Sequence, residues 1–207
     1  MQRAFISVAG AIFALAGCGD MTAGLSGGIS PAAPAIALFA GEVTAVGPRG
    51  YCVDPDSSRP RRGFAMLAPC RTLGVADAPS VTRGITTIQA GPEGSAIVSQ
   101  NPTEFANYLK GPNGPFVLSR SGNRVSVNVT EVRSFDNHVA VYLRDAAPAH
   151  IDGAQEAEWR AFVDIAGRLM TISVRGLDAA PLSASQGSGL LDQAVQAMIA
   201  ANPAGNT

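Results

Sequence analysis

Residue types that could carry catalysis are sparse in this sequence. Histidine occurs only at His138 and His150, and either could act as the general base of a hydrolase. Ser121, His138 and Asp136 could be drawn as a catalytic triad, but closeness in sequence does not supply the geometry that a triad needs. The sequence has no H-E-x-x-H, P-loop or G-x-G-x-x-G motif. We therefore predict a non-catalytic protein without cofactor or metal, with a hydrolase as the alternative.

Glu156 and Glu158 are two carboxylates separated by one residue on a predicted strand. Because successive strand residues point to opposite faces, these two would face the same way and could form an acid–base pair. Trp159 would face the opposite way, toward a core. We expect the two glutamates to lie on the solvent-exposed face of that strand.

The first residues have the pattern of an export signal. Arg3 is the only charged residue before Asp20, and the run Ala4–Ala16 is almost wholly apolar. As a helix this run would span roughly 20 Å, which is shorter than the bilayer core of about 30 Å. Its length and flanks are typical of the hydrophobic region of a signal peptide. An ordinary secretory signal, cut after Ala16 with Cys18 incidental, is one reading.

The end of this apolar run, Leu15-Ala16-Gly17-Cys18, resembles the lipobox of bacterial lipoproteins. In that family a signal peptidase cuts before the cysteine, whose thiol then carries diacylglycerol. The resemblance implies that Cys18 is lipidated and that the protein is held in the cell envelope by its lipid. Gly19, rather than Asp, follows the cysteine, which favours the periplasmic side of the outer membrane over the inner membrane. A protein anchored there could bind another protein of the cell envelope, which we expect as a possible partner.

Lipidation of Cys18 would leave Cys52 and Cys70 as the remaining cysteines. An exported compartment is oxidising, so these two are expected to form a disulfide. Their spacing is not C-x-x-C, which argues against a thioredoxin-like role, and two histidines are too few for a zinc site with them. We predict a structural bridge that closes residues 53–69 as a loop and stabilises the fold by about 3 kcal/mol.

The predicted disulfide loop is rich in arginine, with Arg59, Arg61 and Arg62 close together. Guanidinium groups bind carboxylates and phosphates through paired hydrogen bonds. This cluster could therefore bind an anion such as lipid phosphate, lipopolysaccharide or an acidic partner. A solvated turn, in which the arginines pair with Asp54 and Asp56, is the alternative.

Composition limits the class of protein that this chain can be. The 207 residues are 46% hydrophobic and 15% charged, with a net charge of −1. The hydrophobic share excludes a wholly disordered chain, and the near-zero net charge excludes binding to nucleic acid through general electrostatic attraction. The small, flexible residues before Ile36 read as a linker. We predict a signal peptide over 1–17, a flexible tether over 18–35, one domain over 36–202 and a tail over 203–207.

Several short strands and two helices are predicted within the domain. Asn101 and Glu104 have the spacing that begins a helix, and a second helix is predicted over Gly189–Ala201 with Ser188 as its cap. A turn at Gly47–Gly50 predicts a hairpin between the segments on either side of it. The predicted strands are Gly41–Val46, Tyr51–Val53, Phe64–Ala68, Ile85–Gln89, Ala96–Ser99, Phe116–Ser119, and alternating runs around Val125–Val132, Val139–Leu143, Trp159–Val163 and Met170–Val174.

These elements predict the α+β class, with an antiparallel sheet against which a middle helix and a C-terminal helix pack. The segment Trp159–Phe162, the Ile165–Leu169 hairpin, the Met170–Val174 strand and the terminal helix resemble the PsbP-like α/β/α sandwich. That resemblance implies helices on the faces of the sheet. Several proteins of that class bind partners without doing chemistry, but a fold alone does not transfer a function.

Overall fold

A computed structural model describes residues 32–148 and 151–203 of the chain. The predicted signal peptide, the predicted lipidation site Cys18, most of the predicted tether and His150 lie outside these residues. The elements in chain order are β1 Ala35–Leu38, β2 Val43–Val46, β3 Tyr51–Val53, β4 Phe64–Pro69, β5 Ile85–Ala90, α1 Pro102–Lys110, α2 Gly114–Leu118, β6 Val127–Ser134, β7 His138–Asp145, β8 Ala154–Ile165, β9 Arg168–Leu177 and α3 Ala184–Ala201.

Seven strands form one antiparallel sheet in the order β3-β4-β5-β9-β8-β7-β6. β1 and β2 form a separate two-stranded antiparallel sheet. The predicted α+β class is confirmed. Of the two helices between β5 and β6, α1 matches the predicted middle helix, and α3 matches the predicted C-terminal helix. No helix in the described part of the chain is long and apolar enough to span a membrane.

One face of the sheet packs against α3. Trp159 on β8 lies opposite Val174 on β9, and both side chains belong to the large buried cluster that α3 covers. Trp159 also donates a hydrogen bond from Nε1 to the carbonyl oxygen of Ala184 at 2.7 Å. A Cβ at Gly187 would lie 2.9 Å from Cδ1 of Trp159, so only glycine lets the helix approach the indole this closely.

The opposite face of the sheet is only half covered. α1 and α2 lie over β6, β7 and β8, where Leu109 and Leu118 are fully buried. The rings of Phe105 on α1 and Phe162 on β8 meet edge to face with centroids 5.3 Å apart, an arrangement that aromatic pairs favour. Among residues 32–148 and 151–203, no helix packs on this face of β4, β5 and β9, and their side chains line an open groove.

Most of the predicted elements are confirmed, including the Asn101 cap, which accepts a hydrogen bond from the Glu104 amide at 3.0 Å. β6 pairs with β7 with a register shift between Val129 and Glu131. The predicted cap of the last helix is wrong by five residues, because Ser183 and Gln186 form a reciprocal capping box. Ser188 lies inside the helix and accepts a hydrogen bond from Arg133 at 3.0 Å.

Three further predictions of local structure are wrong. Phe116–Ser119 is not a strand, because Pro115 lies in the first turn of α2 and Leu118, the last residue of that helix, is buried against the sheet. Ala96–Ser99 forms no strand. The chain on either side of Gly47–Gly50 forms no hairpin, because β2 pairs with β1 while β3 pairs with β4.

Candidate functional site

The candidate site is the groove on the uncovered half of the sheet, with a volume of about 640 Å³. Strand register determines which side chains form its floor. Met66 on β4 lies opposite Thr87 on β5, which lies opposite Ser173 on β9, which lies opposite Arg160 on β8. The groove therefore crosses four strands, from an apolar wall at β4 to a cationic wall at β8.

The cationic wall is built around a buried glutamate. Glu158 is 1% exposed and lies opposite Arg175 on the neighbouring strand. Its Oε1 accepts a hydrogen bond from Nη2 of Arg160 at 2.5 Å, and its Oε2 accepts one from Nε of Arg175 at 2.6 Å. Both guanidinium groups are therefore held in place by one carboxylate.

Arg120 joins this wall from the loop after α2. Its side chain is 8% exposed, and its Nη2 donates to the carbonyl oxygens of Asp145 and Ala147 at 2.7 and 2.6 Å. The carboxylate of Asp145, which is fully buried, lies 3.7 Å from Nε of Arg120, beyond hydrogen-bond distance. Nε and Nη1 of Arg120 and Nε of Arg160 have no hydrogen-bond partner among the described residues.

Positive charge exceeds negative charge in this cluster, because among the described residues the three arginines form ion pairs only with Glu158 and Asp145. The pKa of Arg175 is lowered, first by burial and then by the positive charges of Arg120 and Arg160, against the opposing attraction of Glu158. Positive charges held close together away from water repel one another, and a bound anion would reduce that repulsion.

The carboxylate of Asp145 holds the arginine end of the groove in place. Burial alone would raise its pKa, but hydrogen bonds from the Arg120 and Ala147 amides and the Ser126 hydroxyl, with the charge of Arg120, lower that pKa overall. Asp145 is therefore the ionised anchor of Arg120.

The wall on β4 is apolar. Phe64 and Met66 on β4 face the groove together with Ile85 on β5 and Ile151 from the loop before β8. A mostly apolar pocket with a few converging polar groups is the usual form of a small-molecule site. Within residues 32–148 and 151–203, no cluster of three or more His, Cys, Asp or Glu side chains is placed to hold a metal ion.

Comparisons with known proteins add distant structural likeness and no sequence relative. No protein-family model matches the sequence, and no curated protein matches it. Among solved structures, the Ran-binding protein Mog1p of Saccharomyces cerevisiae is 13% identical, with a TM-score of 0.41 over 81% of this chain and 92% of that chain. A second Mog1 structure, of a point mutant, is 11% identical, with a TM-score of 0.39 over 81% of this chain and 93% of that one.

The disulfide between Cys52 and Cys70 is confirmed. Cys52 lies in β3, and Cys70 immediately follows β4, with the two Cα atoms 4.8 Å apart. The bridge therefore joins two neighbouring strands at the edge of the sheet and closes residues 53–69 as a loop. Ser57 of this loop contributes to the rim of the groove.

Arg59, Arg61 and Arg62 are exposed on a short 3-10 turn in the same loop. Arg59 donates to the carbonyl oxygens of Asp56 and Ser58 at 2.6 and 2.7 Å. In the described part of the chain, no ion pair joins these arginines to Asp54 or Asp56. Anion binding by this surface stays a prediction, and its arginines are separate from the three buried ones.

His138 takes no part in the groove. Its ring stacks on Phe135 with centroids 4.3 Å apart, and its Nδ1 lies 2.8 Å from Oδ1 of Asn137. Burial lowers the pKa of His138, against the opposing charge of Asp192. The hydroxyl of Ser121 instead lies 3.3 Å from that of Ser119, so the triad drawn from Ser121, Asp136 and His138 gains no support.

The expectation for Glu156 and Glu158 is half wrong. Glu156 is exposed and pairs with Arg144 at 3.2 Å, whereas Glu158 is buried at the cationic wall. In the sequence, Glu158 and Arg160 alternate with the core residues Trp159 and Ala161. This alternation could have predicted that the two charged side chains lie together on the other face of the strand. Nothing local in the sequence relates Arg120 to them, because α2 and the loop after it bring that residue across the sheet.

Proposed function

We propose that this protein is a non-catalytic binding module of the cell envelope, anchored by lipid on Cys18, and that the groove is its ligand site. One observation carries the binding role. A preformed groove ends at three largely buried arginines, and two of these have guanidinium nitrogens without a partner among the described residues. These nitrogens are themselves buried, but all three arginines line the groove and carry more positive charge than their two carboxylate partners balance. An excess of buried charge is costly, so such an arrangement is expected where a ligand supplies a negative charge.

The envelope location rests on the N-terminal sequence. The segment Leu15–Cys18 follows an apolar run of signal-peptide length, and two or three acyl chains on Cys18 would anchor the protein stably. Gly19 after the cysteine favours the periplasmic side of the outer membrane. The Cys52–Cys70 disulfide is compatible with that oxidising compartment.

A second candidate site is the exposed surface formed by Arg59, Arg61 and Arg62. Their exposure would allow them to meet an acidic partner in the envelope or an anionic headgroup. Exposed charges act mainly through long-range attraction that salt screens. Binding through this surface would therefore weaken steeply with salt, whereas binding in the groove would be less sensitive.

Metabolic labelling with a palmitate analogue tests the anchor. The full chain, expressed in a bacterial host, is expected to take up the label and to fractionate with membranes. Cys18→Ser removes the acylated thiol and should remove both the label and the membrane fraction, while Cys52→Ser should keep the label. Unchanged labelling of the Cys18→Ser protein would contradict lipid anchoring.

Fluorescence of anilinonaphthalene sulfonate tests the groove, because this probe joins an anionic group to an apolar ring system. The full-length Cys18→Ser chain should enhance its emission. Thr87→Glu places a carboxylate on the groove floor, between the apolar and cationic walls, and should abolish the enhancement. Thr87→Ser is the matched control and should keep it. Enhancement that survives Thr87→Glu, or none with the parent chain, would contradict a ligand site in the groove.

A further inference from the structure

We infer that the ligand of the groove is an anionic amphiphile, a single carboxylate or phosphate head on one hydrocarbon tail. The head lies at Arg120, Arg160 and Arg175, and the tail crosses the sheet toward Phe64 and Met66. This inference rests on the proposed function, because it names the class of ligand for the same groove.

The head group is indicated by three largely buried arginine side chains that line one wall of the groove. The side chain of Arg120 is 92% buried, lines the groove and has two unpartnered nitrogens, and Arg160 has one. Arg175 is 12% exposed and shares Glu158 with Arg160. The oxygens of a carboxylate or phosphate match guanidinium donors in both charge and geometry.

The charge of the head follows from the balance of charge at the same wall. The three arginines face Glu158 and Asp145, which leaves an excess of one positive charge. A single negative charge neutralises that excess, whereas a diphosphate or a dicarboxylate would bring an uncompensated charge into a largely buried region. A neutral ligand would leave the excess in place.

The tail is indicated by the rest of the groove. From β8 to β4 the floor spans three strand spacings, about 14 Å, and the small residues Thr87 and Ser173 form its middle. Phe64 and Met66 form the far wall. A hydrocarbon chain lying across the floor would remove these side chains from water, which inorganic phosphate or acetate could not do.

Titration calorimetry of the full-length Cys18→Ser chain tests the inference with defined probes. Laurate is expected to bind, and dodecanol, which has the same tail without the charge, should bind about ten- to a hundredfold more weakly. Acetate should show no saturable binding. Dodecyl methyl phosphate, a phosphodiester with one negative charge, separates two sources of the head group. Tighter binding of this diester than of laurate indicates a phospholipid with one acyl chain, and tighter binding of laurate indicates a free fatty acid.

Variants locate the binding. Thr87→Glu should weaken laurate binding at least tenfold, while Thr87→Ser and the triple Arg59→Gln, Arg61→Gln, Arg62→Gln variant should bind like the parent. Arg120→Gln should also lose affinity. Arg120→Gln also removes structural hydrogen bonds, so the test does not depend on that variant alone. Thermal unfolding of Thr87→Glu and Thr87→Ser shows whether both variants are folded, and loss of binding by a folded Thr87→Glu protein then reports on the groove.

The possible failures are distinguishable. If anilinonaphthalene sulfonate binds in the groove but laurate and dodecyl methyl phosphate do not displace it, the amphiphile inference is wrong and the proposed function stands. Equal binding of dodecanol and laurate would likewise overturn the inference alone. If neither the fluorescent probe nor the amphiphiles bind, both proposals fall. Loss of laurate binding in the triple arginine variant, with Thr87→Glu unaffected, would transfer the site to the loop.

Discussion

The substitution Glu158→Gln tests the cationic wall of the groove, because it removes one charge at nearly constant volume. In the native protein the carboxylate accepts hydrogen bonds from Arg160 and Arg175. The amide retains one acceptor oxygen and turns an NH₂ group toward the other guanidinium. Glu156→Gln is the matched control, since it makes the same change two residues away on the same strand.

The two substitutions are expected to differ by several kcal/mol. Glu158 has no exposed side-chain surface and its arginine partners are 12% exposed, and breaking a buried ion pair of this kind costs about 3–5 kcal/mol. The side chains of Glu156 and Arg144 are 51% and 66% exposed, and an exposed pair contributes about 0–1 kcal/mol. With a urea dependence of about 2 kcal/mol per M, Glu158→Gln lowers the unfolding midpoint by about 2 M.

Urea unfolding followed by far-ultraviolet circular dichroism measures this difference. The parent chain and both variants are compared at neutral pH. Loss of Glu158 also raises the excess of positive charge, so saturating laurate should raise the midpoint of Glu158→Gln more than that of the parent. If the unfolding free energies of the two variants agree to within about 0.5 kcal/mol, Glu158 is not buried as described and the cationic wall built on it is wrong.

Three further predictions concern the scaffold. Replacing both Cys52 and Cys70 by serine opens a loop with a sequence separation of 18 residues. Urea unfolding should show that this lowers the free energy of unfolding by about 3 kcal/mol. A loss below about 1 kcal/mol would contradict a stabilising role of the disulfide. Gly187→Ala places a Cβ 2.9 Å from Trp159, whereas the Cβ of Gly189→Ala meets nothing within 4 Å. The first substitution should destabilise the fold by about 1–3 kcal/mol and shift the tryptophan emission, and the second should stabilise the fold slightly. Stability changes of the same sign would contradict the packing of α3 on Trp159. The folded pKa of Asp145 lies below its ordinary value of 3.8, so its contribution to stability is complete above that value and is lost as the pH falls through the folded pKa. The gap in unfolding free energy between the parent and Asp145→Asn should therefore narrow below about pH 4, and a gap that is constant with pH would count against an ionised Asp145.

The central strands and the main helix contacts could be predicted from the sequence because their signals are local. Alternation of Trp159, Ala161 and Val163 places that face of β8 against a core, and the cap at Asn101 defines the start of α1. The Phe116–Ser119 segment misled because a short apolar run fits a strand or a buried helix equally well. Tertiary packing of Leu118 decided that case.

The candidate site could not be predicted in the same way, because it depends on pairing between distant strands. Arg160 and Arg175 meet through Glu158 only because β8 and β9 pair in one particular register. The groove itself exists because α1 and α2 leave β4, β5 and β9 uncovered, which no local pattern encodes. The arginine-rich loop was easier to find in the sequence, since Arg59, Arg61 and Arg62 are close together in the chain.

A crystal structure of the full-length Cys18→Ser chain with ω-bromolaurate tests the amphiphile site most directly, because anomalous scattering locates the bromine at the end of the tail. We predict a bromine peak beside Phe64 and Met66, with the carboxylate within hydrogen-bond distance of Arg120 or Arg160. A bromine peak at the arginines, or a ligand seated only against Arg59, Arg61 and Arg62, would contradict the account.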